Sequence, residues 1–103
     1  MASPRHITVS EASRPILARH AKLKFDETRN VWVILAPERV LAPDETAVEV
    51  LRLCDGVRDV AGVVDHLAEK YAAPREAIST DVIAMLQDLA DKGFVIEARE
   101  KAS

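Results

Sequence analysis

The residues of this chain whose side chains could do chemistry are His6, His20 and His66, the single Cys54, the serines Ser10, Ser13, Ser79 and Ser103, and the acids of its last third. Metal binding is the first possibility. A zinc site draws its ligands from closely spaced Cys and His pairs. Here the histidines stand far apart and there is no second cysteine, so no metal site is expected. His66, beside Asp65 and Glu69, reads as an exposed surface histidine. Nucleophilic catalysis is the second. Cys54 falls on the apolar stripe of a predicted helix at its C-terminal end, where the helix dipole disfavours a thiolate. It reads as a core residue, and it cannot form an internal disulfide. None of Ser10, Ser13, Ser79 and Ser103 sits in a nucleophile elbow. Phosphate binding needs clustered glycines, but Gly56, Gly62 and Gly93 are scattered singly. Asp88 and Asp91, three residues apart, read as the solvated face of a helix rather than an acid–base pair. No group of these residues makes an enzyme site.

The elements that would position a site are clearer. At 103 residues, 49% of them hydrophobic and only 4% aromatic, the chain makes one domain with an aliphatic core. Residues 1–15 have no period and read as a flexible tail ended by Pro15. Residues 16–98 form the domain, and 99–103 a C-terminal tail. Residues 21–26 alternate, with Leu23 and Phe25 on one face and Lys22 and Lys24 on the other, as a half-buried strand does. Val31–Ala36 is apolar on both faces and reads as the central strand. Pro37 interrupts it, because proline cannot donate to a ladder. Arg39–Ala42 follows as a short third strand at the sheet edge.

Asp44 caps a first helix with Ala47, Val48, Leu51 and Cys54 as its stripe, and Asp55-Gly56 ends it. Asp59 caps a second, in which Val60, Val63, Val64, Leu67, Ala68 and Tyr71 keep the cleanest helical period. Pro74 opens a third, with Ile78, Val82, Met85, Leu86 and Leu89 inward and Gly93 at its end. Phe94–Ile96 is a short apolar segment, either a strand or a packing tail. The expected class is α+β, a winged helix-turn-helix with three N-terminal strands followed by three helices.

Charge narrows the function. The net charge is −3, divided as +3 over residues 1–39 and −6 over 40–103. Strands ahead of three helices would suit a DNA-binding regulator, the alternative reading. Its third helix would then enter the major groove, yet residues 75–92 carry a net −2. A peptide-binding module meets no such repulsion, and the mildly basic strand half could attract an acidic peptide. A piece of a larger enzyme is a third possibility. No apolar run reaches the roughly 18 residues of a membrane span, and the N-terminus lacks a signal-peptide core. A cytoplasmic protein is expected.

Four runs carry a family resemblance: LAPERV (Leu35–Val40), LCDG (Leu53–Gly56), V-x2-VV-x2-L-x3-Y (Val60–Tyr71) and DV-x3-L-x2-L-x3-G (Asp81–Gly93). Together they resemble PqqD, protein D of pyrroloquinoline quinone (PQQ) biosynthesis, over about residues 16–98. The resemblance implies a non-enzymatic peptide chaperone, the recognition element of a ribosomally made, modified peptide. Such a protein binds the pathway's precursor peptide (PqqA-like) and presents it to a radical S-adenosylmethionine enzyme (PqqE-like). That enzyme carries the iron–sulfur clusters and links a Glu and a Tyr of the peptide. It also implies that the peptide lies between the third strand and the third helix. Strand addition is the physical mode, with the peptide backbone pairing at an open sheet edge. The implied peptide-binding residues are Arg39, Val40, Leu41 and Ala42 on one wall and Val82, Met85, Leu86 and Leu89 on the other. Arg39 would meet an acidic peptide side chain. No cofactor, nucleic acid or membrane partner is expected, and the state is a monomer or a strand-exchanged dimer.

Overall fold

The computed structural model describes residues 7–37 and 39–98. His6, Glu38, Ser103 and the 99–103 tail lie outside the described residues. The described residues are α+β, with three helices and two small sheets. In the first sheet β2 (Lys22–Asp26), β3 (Val31–Ala36) and β4 (Arg39–Leu41) run antiparallel in that order. In the second, β1 (Pro15–Leu17) pairs with β5 (Val95–Glu97), Ile16 opposite Ile96. Between β4 and β5 come α1 (Glu45–Leu53), α2 (Val60–Tyr71) and α3 (Arg75–Asp91).

The expectation of three strands ahead of three helices needs correcting. Four strands precede the helices and one follows. The extra strand, β1, is three residues long and opens on a proline, so it shows neither alternation nor length. It exists through pairing with β5 at the far end of the chain, a contact that local pattern does not encode. The segment before it is also packed. Gln87 on α3 accepts from the Val9 amide at 2.8 Å and donates to the Ile7 carbonyl at 2.9 Å. Val9 is buried against the core.

The three central strands fall, within a residue, where the alternation of residues 21–26, the apolar run Val31–Ala36 and the break at Pro37 predict. Antiparallel register sets Leu23 opposite Ile34 and Ile34 opposite Leu41. Facing residues share a side of the sheet, so these three form its inner face, and Ile34 is fully buried. Phe25 and Trp32, also opposite, meet edge to face at 5.4 Å.

Each of the first two helices starts at an aspartate. The Asp44 and Asp59 carboxylates accept from the Ala47 and Gly62 amides at 2.8 Å each. Such caps satisfy an amide that the helix itself leaves unpaired. Between α1 and α2 the Asp55 side chain accepts from the Val57 and Arg58 amides, and Gly56 takes φ +83°. The core lies where Ile34, Val50, Leu51, Val63, Val64, Leu67, Val82, Leu86 and Phe94 meet. Two details differ from the periodic expectation. Val50 is buried on α1, while Tyr71 at the end of α2 is 54% exposed.

Candidate functional site

A groove of about 710 Å³ opens between β4, the start of α1 and the outer side of α3. Its floor is apolar: Ile34 from β3, Val50 from α1 and Leu67 from α2. Its walls are Leu41 and Ala42 on the strand side and Ile78, Val82, Met85 and Leu89 on α3. The groove exists because β4 is too short to cover it. Pro37 breaks the run, β4 pairs for only three residues, and Pro43 then turns the chain into α1. Among the described residues no further strand of its sheet pairs with β4, so one edge of its backbone lies open.

The structure thus brings together five of the eight residues expected at the site: Leu41, Ala42, Val82, Met85 and Leu89. Three do not line it. Val40 sits opposite Leu35, on the other face of the sheet from Leu41, and is 60% exposed. Period two allows only one of two adjacent strand residues to face the groove. Leu86 is fully buried beneath it. Arg39 places its guanidinium 4.8 Å from the centre of the Phe94 ring, a cation–π contact. Sequence reasoning missed the α1 side of the groove. Val50 follows Ala47 by three residues, so a full helical period would have included it.

The groove rim is acidic. Asp44, Glu49, Asp81 and Asp88 line it, against Lys92. Asp44 is occupied as a helix cap. Glu49 accepts from both Lys70 and Tyr71. The Lys70 bond comes first and the Tyr71 bond second in holding the Glu49 carboxyl below its ordinary range. The same contact raises the Tyr71 phenol and the Lys70 ammonium. Asp88 pairs with Lys92 at 3.1 Å, one turn along α3. Cys54 stands apart from the groove. It is buried, its thiol donates to the Val50 carbonyl at 3.2 Å, and burial pushes its pKa up to about 12, with Asp55 adding to the shift. That agrees with an inert core thiol. Among the described residues no group of His, Cys, Asp and Glu could hold a metal ion. No described helix is long and apolar enough to cross a membrane.

An open strand edge beside an apolar groove is the kind of surface to which an extended peptide can add as a strand. Residues 31–95 match the family described as Coenzyme PQQ synthesis protein D (PqqD). A "PqqA binding protein" of Bradyrhizobium diazoefficiens is 81% identical over 103 residues, the whole of both chains. Another, from Gluconobacter oxydans, is 38% identical over 84% of this chain and 91% of its own. The solution structure of the PqqD part of Methylobacterium extorquens PqqCD, described as a functional, stand-alone recognition element for a modified ribosomal peptide, superposes with a TM-score of 0.75. It is 39% identical and covers 86% of this chain and 95% of that one. This chain belongs to the PqqD family.

Proposed function

We propose that this chain is a non-enzymatic peptide chaperone of PQQ biosynthesis that binds the PqqA precursor peptide and presents it to a radical S-adenosylmethionine enzyme. The names of its relatives support the ligand. The observation that carries the binding mode is the open edge of β4 beside an apolar groove walled by α3. The peptide adds as a fourth strand to the β2–β3–β4 sheet, with alternate side chains turned down between Leu41 and Met85. The three helices and the neighbouring hairpin are, on this reading, a winged helix-turn-helix used for a peptide rather than for DNA. The acidic rim on α3 supports that choice, since it opposes a phosphate backbone.

Of the expected residues, Leu41, Ala42, Val82, Met85 and Leu89 contact the peptide. Val40 and Arg39 hold the strand edge in place, and Leu86 supports α3 from below. A second copy pairing at β4 would occupy the same edge, so the monomer is the binding-competent form. The radical enzyme meets the peptide from the solvent side. A domain joined to another pathway protein suits this role, and a bifunctional coenzyme PQQ synthesis protein C/D of Methylorubrum extorquens is 44% identical over 76% of this chain, which spans 21% of that protein.

The test uses Leu41→Asp and Met85→Asp, each checked for folding by circular dichroism and titrated with the PqqA peptide. A charge in an apolar wall should cost about 1.4 kcal/mol or more, tenfold in Kd. Unchanged affinity in both folded variants would reject the groove.

A further inference from the structure

The α3 wall carries more than apolar contacts. Ile78, Asp81, Met85, Asp88 and Lys92 recur every three or four residues, so they share one face of the helix, and all five line the groove. Three of the four groove carboxylates are already engaged: Asp44 on the Ala47 amide, Glu49 by Lys70 and Tyr71, and Asp88 by Lys92. Asp81 is exposed, and its carboxylate has no hydrogen bond or ion pair among the described residues. It stands on a rigid helix between two apolar groove residues, one turn before Met85.

Resting on the peptide-groove reading above, we propose that Asp81 selects a basic side chain of the bound peptide. A Lys or Arg suits this geometry in both its parts. Its methylene stem can lie along Ile78 and Met85 while its charged head reaches the carboxylate. The uncompensated charge of Asp81 also disfavours an acidic side chain at this point. The strand half's positive charge suggested an acidic ligand. The groove itself has the opposite preference, because Arg39 is turned onto Phe94 rather than into it.

Labelled PqqA peptide is titrated by fluorescence anisotropy against the wild type and Asp81→Asn, at low and moderate salt. The titration is repeated with peptides in which each Lys or Arg is changed to Met. Asp81→Asn should weaken the natural peptide about twofold to fivefold, the range of an exposed ion pair. It should flatten the salt dependence and leave the affinity of one Met-substituted peptide unchanged. Asp81→Lys should bind a peptide carrying Glu at that same position better than the wild type does. Equal affinities for wild type, Asp81→Asn and Asp81→Lys overturn the basic anchor. If Leu41→Asp still weakens binding in that case, the groove stands and only the anchor falls. If it does not, both fall.

Discussion

At the scale of single residues, one polar cluster ties the N-terminal segment to α2 and α3. Arg75 at the start of α3 donates through both terminal nitrogens to Glu11, at 2.9 and 3.0 Å, and through Nε to Asp65 on α2. Ser79 adds a 2.6 Å bond to the same Glu11 carboxylate. The Arg75 bond first, and the Ser79 bond second, hold the Glu11 carboxyl below its ordinary value of 4.5. A carboxylate whose folded pKa is depressed binds fewer protons in the native state than in the unfolded one. Its contribution is present above 4.5 and is lost as pH falls through the folded pKa. Glu49 acts in the same direction. Urea midpoints should therefore fall on acidification below about pH 4.5, and less steeply in Glu11→Gln. Equal slopes for the two proteins would show that this contact does not couple to folding. Little of the network was legible in sequence, because its members are 10 to 68 residues apart.

At the scale of elements, the parts found from sequence are those with an internal period or a cap. The three helices begin one residue after Asp44, Asp59 and Pro74, β2 matches its alternation and β3 its apolar run. β1 was hidden, since three residues paired to a distant strand leave no local trace. The connection between α1 and α2 shows how local chemistry and packing combine. Gly56 must hold φ +83°, and a Cβ there would stand 3.1 Å from the Ile16 Cδ1 and 3.3 Å from the Ala98 Cβ. Gly56 therefore lets the LCDG turn pass under the β1–β5 sheet. Gly56→Ala should cost about 1–2 kcal/mol through the left-handed backbone and this contact. Denaturant unfolding would show it as a lower midpoint at unchanged slope. A wild-type midpoint would mean that the turn relaxes freely.

At the scale of the whole molecule, the candidate site is a gap between two kinds of structure. The sheet ends early at β4, and α3 runs past that end, so an apolar groove and an unpaired backbone edge lie side by side. The family resemblance implied both walls but not which residues of each wall face inward. On the strand, register decides: Ile34 opposite Leu41 turns Leu41 in and Val40 out. On α3, Val82, Met85, Leu86 and Leu89 form one stripe wider than the groove, and packing takes Leu86 wholly into the core. Those choices depend on tertiary contacts, which a one-dimensional period does not carry. The central claim is that the precursor peptide pairs with β4 as an added strand. Amide hydrogen exchange by NMR, with and without saturating PqqA peptide, tests it directly. Strand addition predicts new protection at outward amides within Arg39–Ala42, in an alternating pattern, together with shifts at Met85 and Leu89. Unchanged exchange throughout Arg39–Ala42, with protection appearing at β2 or on the β1–β5 sheet instead, would contradict it.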